Sequence, residues 1–332
     1  MRKFLIGVGL VVAALYLWNA SWLAPAPQGE GPKLIAHRGV HQTFDRDGID
    51  DETCTAERIE PPRHQLMENT IASMRAAFEA GADIVEIDVH PTRDGQFAVF
   101  HDWTLDCRTQ AFGETRAQSM AYLKRLDIGY GYTPDGGRTY PLRGKGVGLM
   151  PSLTEVLEAM PDRRFLVNFK SNETVEGDLL AGLIQRNRTW RNAVWGVYGG
   201  TAPTERAVRL MPDVQSWYRP GLRDCLLRYI ALGWADYTPD SCRNTKVMVP
   251  INLASWLWGW PNRFLVRMRD AGSEVILVGP YRTGDRGVAG IDDPALIDRI
   301  PAGFDGYLWT NRIEEIGPAL QRGRFRRSGG QQ

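Results

Sequence analysis

The sequence predicts a single-domain α/β fold, a parallel (β/α)8 TIM barrel preceded by an N-terminal membrane-targeting helix. Short apolar segments alternate with helix-like segments from residue 34 to about residue 321, and a chain of 332 residues has the length of one barrel domain. A long apolar stretch at the N-terminus predicts the targeting helix. We therefore divide the chain into a membrane anchor or signal segment at 1–24, a linker at 25–33, the barrel at 34–321 and a flexible tail at 322–332.

The N-terminal segment has the pattern of a membrane anchor or signal sequence. Arg2 and Lys3 precede an apolar run from Phe4 to Trp18, and aromatic residues follow where an interfacial belt would lie. Because no clean small-x-small cleavage site precedes Pro25, we favour an uncleaved anchor over a cleaved signal peptide. The positive residues at the start predict a membrane-tethered barrel that faces the periplasm or the extracellular side, or a secreted one if the segment is cleaved.

Nine segments have the composition of strands, and helix-like segments separate several of them. The strand candidates are 34–37, 84–89, 97–101, 165–169, 193–198, 214–218, 246–251, 274–278 and 306–309. The helix candidates are 70–80, 152–159, 203–210 and 262–271. Strand and helix in repeated alternation predict parallel βαβ units. Since a barrel takes eight strands, we expect either 214–218 or 246–251 to lie outside it.

Charge and cysteine usage weigh against two function classes. Lys and Arg number 40 against 39 Asp and Glu, a net charge of +1, so we expect no nucleic-acid partner. The four cysteines form neither a CxxC pair nor a Cys/His cluster, which disfavours a structural zinc site. On an oxidising side of a membrane an even number of cysteines indicates disulfides, and four cysteines allow three pairings.

Polar residues recur near the C-terminal ends of the predicted strands, where barrel enzymes build their active sites. Glu86 and Asp88 lie two apart on one strand, so their side chains share a face and point into the barrel mouth. Two buried like charges need compensation, either by a divalent cation with oxygen ligands or by Arg and Lys from neighbouring strands. His37 and His101 add groups that titrate near neutrality and can serve as general acid or base, whereas either histidine alone would more often be a hydrogen-bonded core residue.

Eight motifs in order carry a family resemblance. They are LIAHRG (34–39), ENT (68–70), GADIVEIDVHPTRDG (81–95), FAVFHDWTLDCRT (97–109), LDIG (126–129), MPSLTEVL (150–157), FLVNFK (165–170) and FDGYLWTN (304–311). This series resembles the motifs of the glycerophosphodiester phosphodiesterases, in a match that runs from residue 34 to about residue 320. The first half of the match is highly specific, and the second half rests mainly on the last motif.

The resemblance implies a role for each matching residue. His37 and His101 would be the catalytic acid/base pair, without an indication of which is the acid. Arg38 and Lys170 would bind the substrate phosphate. Glu86 and Asp88 would hold one divalent cation, Ca²⁺ or Mg²⁺. Asn69 of the ENT motif is explained equally well as a helix N-cap.

The sequence departs from the family pattern at two places. Asn168 stands where the family usually has a third acidic metal ligand. We expect its amide oxygen to be a neutral ligand in the metal site, and the alternative is a hydrogen bond to a neighbouring ligand. A long polar insertion at 41–65 separates the first two motifs and predicts an added loop over the mouth, which the loop 130–148 could also reach.

The positions of two cysteines predict the pairing. Cys54 follows the first strand candidate and Cys107 follows the third, so both are expected on the catalytic face, where a bond between them would hold the insertion. Cys225 would then pair with Cys242.

Three functions of different class fit these residues. The first is metal-dependent hydrolysis of glycerophosphodiesters to glycerol 3-phosphate and an alcohol. The second is lysophospholipase D-like hydrolysis of lysophospholipids, and the third is a catalytically silent lipid-binding barrel. Trp256, Trp258 and Trp260 bear on the lipid functions, because they could form an apolar wall for an acyl chain or rest on a bilayer. Core packing is the alternative for these three rings.

Overall fold

The architecture is a nearly closed barrel of parallel strands surrounded by helices. The computed structural model describes residues 2–50, 53–283 and 289–329. Within these ranges nine strands form one sheet. They are β1 (Lys33–His37), β2 (Ile84–Pro91), β3 (Phe97–Val99), β4 (Phe165–Phe169), β5 (Val194–Gly199), β6 (Gln215–Ser216), β7 (Lys246–Pro250), β8 (Glu274–Val278) and β9 (Tyr307–Thr310).

Eight of these strands follow one another around the barrel in the order β6, β5, β4, β2, β1, β9, β8, β7, and each neighbouring pair is parallel. β3 lies outside this path and pairs antiparallel with the end of β2, where Val99 lies opposite Val89. The predicted barrel is confirmed, but the expectation that 214–218 or 246–251 falls outside it is wrong. The extra strand is β3. The strand β2 extends beyond the barrel, and a turn closed by the hydrogen bond from the Thr92 N–H to the Gln96 carbonyl brings the chain back as β3.

The helices lie mostly on the outside of the barrel. They are α1 (Arg2–Asn19), α2 (Ile71–Glu79), α3 (Met120–Leu123), α4 (Leu153–Ala159), α5 (Thr174–Ile184), α6 (Arg188–Ala193), α7 (Thr201–Leu210), α8 (Arg219–Leu232), α9 (Asn262–Asp270) and α10 (Ile313–Gly329). Local sequence fixes the start of two of these helices, α2 and α4. Thr70 caps α2, and Ser152 with Glu155 forms a capping box on α4.

The alternation of side chains along β2 separates the core from the site. Val85 and Ile87 are fully buried in the main hydrophobic cluster, between the sheet and the helices. Ile84 faces the opposite way, into the barrel, where it joins an apolar cluster that includes Trp217 and Trp309. The next inward positions of β2, towards its C-terminal end, are Glu86 and Asp88. These two carboxylates therefore lie between the apolar cluster inside the barrel and the barrel mouth.

The N-terminal segment forms α1 and then a 3₁₀ turn at Ser21–Leu23. In the part of the chain that the structure describes, no helix is long and apolar enough to cross a membrane. The predicted membrane-spanning anchor is therefore not supported. The linker at 25–33 has no regular structure before β1 begins. At the other end α10 continues to Gly329, past the expected start of the tail at residue 322, and 330–332 lie outside the described residues.

Two loops form a second small core on top of the barrel. The insertion at 41–65 is joined to the loop after β3 by the Cys54–Cys107 disulfide, with Cα atoms 5.5 Å apart. Ala56 of the insertion accepts a backbone hydrogen bond from Thr133 of the loop 130–148. Ala56, Leu105 and Tyr132 are buried together in a separate hydrophobic cluster. The predicted pairing of Cys54 with Cys107 is thus confirmed, and it joins the insertion to the loop after β3.

A second disulfide spans the open seam of the barrel. β6 and β7 are the two ends of the barrel path, and the Thr245 hydroxyl donates to the Ser216 carbonyl at 3.3 Å beside this seam. Cys225 of α8, which follows β6, is bonded to Cys242, which shortly precedes β7, with Cα atoms 4.9 Å apart. This pairing was also predicted. The covalent bond therefore links the two sides where the hydrogen-bond ladder is interrupted.

We expect the double variant Cys225→Ser/Cys242→Ser to unfold more easily than the wild type. The bond closes a separation of 17 residues, and a loop of this size stabilises a fold by about 3 kcal/mol. Urea unfolding followed by circular dichroism measures the loss in the free energy of unfolding. A variant with an unchanged unfolding midpoint would show that the seam does not need the bond.

Candidate active site

The predicted site residues come together at the C-terminal ends of β1, β2 and β4. His37 is the last residue of β1, and its Nε2 lies 3.8 Å from Glu86 Oε2. Arg38 Nε is 3.0 Å from Asp88 Oδ2, and Lys170 Nζ is 3.6 Å from Asp88 Oδ1. Five side chains from three neighbouring strands therefore form one charged cluster at the barrel mouth.

Asp88 is the centre of this cluster. Besides Arg38 and Lys170, it accepts hydrogen bonds from Asn69 Nδ2 at 3.0 Å and from Asn168 Nδ2 at 2.8 Å. Burial opposes its ionisation, but Arg38 and Lys170 outweigh burial and hold the pKa of Asp88 well below its usual range. Asp88 is thus a buried, ionised and fully partnered carboxylate.

Glu86 behaves in the opposite way. Burial first, and then the charge of Asp88, raise the pKa of Glu86 to about 8. The Tyr198 hydroxyl donates to Glu86 Oε1 at 2.7 Å, and the Arg38 backbone N–H donates to Oε2 at 3.2 Å. The neighbouring residues therefore compensate the negative charge of Asp88 but not that of Glu86, so Glu86 holds a proton near neutral pH.

His101 belongs to the same site through a chain of buried charges. Arg38 Nη1 donates to Glu68 Oε1 at 3.1 Å, and Arg108 Nη2 donates to the same oxygen at 3.1 Å. Arg108 Nε is 3.2 Å from Asp102 Oδ2, whose other oxygen is 2.7 Å from His101 Nδ1. This alternation of acidic and basic groups links the second histidine to Arg38.

The two histidines have different partners at Nδ1. His37 Nδ1 lies 2.7 Å from Asn311 Oδ1. The Asn311 amide is oriented by Asp292, which accepts from its Nδ2 at 2.7 Å. An amide oxygen only accepts, so His37 carries its proton on Nδ1, and Asp102 imposes the same tautomer on His101. In both rings Nε2 is left as the atom that can take or give a proton.

Both imidazoles are neutral before substrate binds. Burial, followed by the positive charge of Arg38, lowers the pKa of His37 well below its usual range. Burial, followed by Arg38 and Lys170, does the same to the pKa of His101. A phosphodiester anion bound to the two cations would remove part of their effect and make protonation easier.

The backbone around the site is held in an uncommon conformation. Arg38 and Asn69 have φ angles of 58° and 60°, in the left-handed region that non-glycine residues rarely adopt. The Asn69 N–H donates to the Arg38 carbonyl at 3.0 Å, and the Ser73 hydroxyl donates to the same oxygen at 3.0 Å. A side chain at Gly39 would collide with Ser73. Asn69 therefore fixes Arg38 and Asp88, while Thr70 supplies the helix cap that Asn69 could have supplied.

Asn168 faces into the barrel beside Asp88, with its amide nitrogen towards that carboxylate. This hydrogen bond is the alternative to metal ligation that the sequence left open. A half-turn of the amide would present the oxygen instead. In the described ranges 2–50, 53–283 and 289–329, no group of three or more His, Cys, Asp and Glu side chains is placed to hold a metal ion.

The donor set nevertheless fits a divalent cation that binds together with a phosphate. Glu86 and Asp88 are both fully buried on one face of β2, and the raised pKa of Glu86 indicates that its ionised form would need a further positive charge beside it. Mg²⁺ in proteins typically takes one or two carboxylates and completes its shell with water and phosphate oxygens. The site thus offers two carboxylates, with the Asn168 amide as a neutral third group.

Glu176, in the first turn of α5, is another buried carboxylate on this side of the barrel. It is 0% exposed, and the Ser171 hydroxyl donates to it. Burial raises its pKa from 4.5 to about 7. A folded-state pKa above the unfolded one means that stability is full below about pH 4.5 and is lost as the pH rises through about 7.

We expect Glu176→Gln to flatten this pH dependence, because Gln cannot ionise. Between pH 5 and pH 8 the wild type should lose roughly 2 to 3 kcal/mol more of its free energy of unfolding than the variant does. Urea unfolding of both proteins at the two pH values measures the difference. Parallel pH profiles would show that Glu176 ionises as freely in the folded chain as in the unfolded one.

Four residues of this site were not singled out as functional from the sequence. They are Arg108, Tyr198, Asp292 and Asn311. Arg108 and Asn311 lie inside quoted motifs, which was the available signal. Tyr198 and Asp292 lie outside all of the quoted motifs, in the half of the chain where the resemblance is weak.

Residues 37–192 match the model of the glycerophosphoryl diester phosphodiesterase family. A glycerophosphodiester phosphodiesterase of Caldanaerobacter subterraneus subsp. tengcongensis is 38% identical over 105 residues, which are 31% of this chain and 39% of that protein. Lysophospholipase D GDPD1 of Homo sapiens is 30% identical over 134 residues, 39% of this chain and 40% of that protein. The chain thus spans about two fifths of the length of these relatives.

Solved structures extend the likeness of the fold to most of the chain. A glycerophosphodiester phosphodiesterase from Agrobacterium tumefaciens superposes with a TM-score of 0.55 at 19% identity, over 87% of this chain and 100% of that chain. An Oleispira antarctica phosphodiesterase, in complex with the product sn-glycerol-3-phosphate, gives a TM-score of 0.55 at 19% identity, over 87% and 97%. These neighbours share the barrel fold.

Proposed function

We propose that this chain, whose residues 37–192 match the model of the glycerophosphoryl diester phosphodiesterase family, hydrolyses glycerophosphodiesters to glycerol 3-phosphate and an alcohol. The observation that carries the proposal is the cluster in which His37, Arg38 and Lys170 surround two buried carboxylates, with His101 tied in through buried ion pairs. A catalytically silent barrel would have no need of two tautomer-fixed histidines beside a phosphate-binding pair of cations.

In the proposed reaction the two cations hold the phosphate and the two histidines move the protons. Arg38 and Lys170 donate to the phosphoryl oxygens and stabilise the charge that develops on them. His37 is the base, because its Nδ1 partner is a neutral amide and its Nε2 can accept the proton of the attacking hydroxyl. That hydroxyl belongs to water, or to the glycerol of the substrate itself, in which case water opens the resulting cyclic phosphate in a second step to give glycerol 3-phosphate.

His101 is the proposed acid. Its Nδ1 partner is the carboxylate of Asp102, which stabilises a protonated ring better than an amide does. When the substrate charge offsets Arg38 and Lys170, His101 takes up a proton from solvent on Nε2, and this proton then passes to the oxygen of the leaving alcohol. The two histidines thereby exchange protonation states over one turnover.

We further propose that Glu86 and Asp88, with the Asn168 amide, hold a divalent cation, Ca²⁺ or Mg²⁺. When bound, such a cation polarises a phosphoryl oxygen and neutralises the second carboxylate. The raised pKa of Glu86 supports this part of the proposal.

Asn168→Glu should tighten this metal site, since it adds a carboxylate next to Asp88. Isothermal titration calorimetry with Mg²⁺ and Ca²⁺ should show a Kd lower by about tenfold or more. Asn168→Gln is the matched control, because it lengthens the side chain without adding charge. Equal affinities in the wild type, the Glu variant and the Gln variant would remove Asn168 from the site.

A substrate panel tests the proposed reaction. Glycerophosphocholine, glycerophosphoethanolamine and lysophosphatidylcholine are compared with and without a chelator. The proposal predicts turnover of the two glycerophosphodiesters that stops when the metal is removed. Equal turnover with and without the chelator would contradict the metal-dependent mechanism. If none of the three substrates were turned over, the proposed function itself would be contradicted.

Hydrolysis of lysophospholipids is the second candidate function. The observation that favours it is the exposure of two indole rings after β7, since Trp256 is 68% and Trp258 is 41% exposed. Trp260 instead packs on Phe264, with ring centroids 5.6 Å apart. A preference for lysophosphatidylcholine over glycerophosphocholine in the same panel would establish this reaction as the main one.

We also propose that the barrel works on the periplasmic or extracellular side. The two disulfides support this location, because such bonds persist in oxidising compartments. A C-terminal alkaline phosphatase fusion, active only after export, tests it. An inactive but intact fusion would place the barrel in the cytoplasm.

A further inference from the structure

An exposed aromatic surface lies where the N-terminal segment meets the loop after β7. It consists of Tyr16, Trp18, Trp22, Trp256 and Trp258, which we call the aromatic platform. These side chains are 69%, 52%, 67%, 68% and 41% exposed. The two segments line a shared cleft of about 370 Å³. Large apolar side chains seldom gather at a surface without a partner.

Hydrogen bonds fix the N-terminal half of the platform to the barrel. Arg267 of α9 donates to Asn19 Oδ1 at 3.1 Å, and Asn19 donates to the Trp234 carbonyl at 2.9 Å. The Asn262 N–H donates to the Ser21 hydroxyl at 2.9 Å. These contacts join the end of α1 to the start of α9, so that Trp18 and Trp22 have a defined position.

The other half of the platform is also held in place. Trp258 Nε1 donates to the Ile230 carbonyl at 2.8 Å, and the Trp258 carbonyl accepts from the Tyr229 hydroxyl at 2.9 Å. The indole N–H is thus satisfied while the ring stays partly exposed. The platform is a preformed surface of aromatic rings.

Charge and continuity identify the partner as a lipid bilayer. The segments 16–23 and 254–263 contain no acidic residue, and their one basic residue, Arg263, lies 5.5 Å from the Trp18 ring. The platform continues into α1, whose Phe4, Leu5 and Leu10 are 73%, 61% and 67% exposed. Trp and Tyr favour the boundary between headgroups and acyl chains, and a nearby cation favours anionic lipid.

We propose that the aromatic platform rests on the surface of a phospholipid bilayer and orients the barrel on it. Trp256 follows the C-terminal end of β7, so the platform lies towards the end of the barrel that carries the catalytic residues. Docking would therefore bring the mouth close to the lipid headgroups. The inference concerns a surface outside the catalytic cluster and does not depend on whether the barrel hydrolyses phosphodiesters.

Spin-label depth measurement on the full chain tests the docking. All four cysteines are in disulfides, so Ser255→Cys, at an exposed position of the platform, gives a single labelling site. The labelled protein is bound to vesicles of phosphatidylcholine and phosphatidylglycerol, and collisions with oxygen and with a water-soluble nickel chelate are compared. Asp162→Cys, in the turn before β4 at the opposite end of the barrel, is the control label.

The expected result is that the label at residue 255 lies at headgroup depth and the label at residue 162 stays in water. Trp256→Ser/Trp258→Ser should lower the fraction bound to vesicles by about tenfold and return the first label to water.

Two outcomes would overturn the inference. A vesicle-bound chain whose label at residue 255 remains accessible to nickel would show that α1 binds lipid without the platform. A label that is buried in the absence of vesicles, together with a doubled mass in solution, would show that a second copy of the chain covers the platform. Hydrolysis of glycerophosphocholine in solution is measured in parallel, so a loss of the proposed activity is separable from a loss of docking.

Discussion

Replacing His101 with Gln should lower kcat by about 10² to 10⁴, and His37→Gln should have an effect of the same order. Gln keeps the size and a hydrogen-bonding group but cannot transfer a proton. Both rings are fixed at Nδ1, so the loss falls on the Nε2 atoms that would meet the substrate. Steady-state kinetics with glycerophosphocholine measure it, and circular dichroism verifies the fold of each variant.

His64 provides the matched control for this experiment. It lies in the insertion at 41–65, where its Nδ1 is hydrogen-bonded to the Gln42 side chain and the Leu66 N–H. His64→Gln should leave kcat within about twofold of the wild type, the size of effect expected when no acid/base group is lost. Wild-type kcat in either His37→Gln or His101→Gln would remove that histidine from the proposed acid/base pair.

Replacing Asp88 with Asn should destabilise the fold by about 3 to 5 kcal/mol and abolish activity. Asp88 is fully buried, and it is the shared partner of Arg38 and Lys170. Without its charge Lys170 loses this carboxylate partner, and Arg38 is left with its ion pair to Glu68. The free energy of unfolding from urea titration at pH 7 measures the effect, with activity followed in parallel.

Glu86→Gln is the matched control, because the same change is made two residues away on the same strand. With a pKa of about 8, Glu86 carries a proton at pH 7, so the neutral amide should change stability by less than about 1 kcal/mol. Equal destabilisation by the two substitutions would show that the pair shares its charge evenly. That result would contradict the division into one ionised and one protonated carboxylate.

The part of the site on β1, β2 and β4 could be predicted because it depends on local geometry. Glu86 and Asp88 share a strand face by their spacing, and strand ends meet at one edge of a parallel barrel. The inward position of Asn168 follows from the same alternation, and the structure places it against Asp88. Which of its amide atoms faces the carboxylate depends on neighbours that the spacing does not reveal.

The remainder depends on contacts between distant parts of the chain. Tyr198 reaches Glu86 from β5, and Asp292 orients Asn311 from a loop after β8, so neither carries a local pattern that marks it. The hairpin formed by β2 and β3 was missed because an apolar segment has the same composition in either strand direction. α8 was missed because its start at Tyr218 has no side-chain cap.

The most direct test of the proposed hydrolysis is ³¹P NMR of glycerophosphocholine incubated with the purified chain and Mg²⁺. We expect the phosphodiester signal to be replaced by that of glycerol 3-phosphate, as choline is released, and we expect His37→Gln and His101→Gln to leave the substrate signal unchanged. Formation of phosphocholine and glycerol would show that the opposite ester bond is cleaved. A substrate signal that persists with the wild-type chain would contradict the proposed hydrolysis itself.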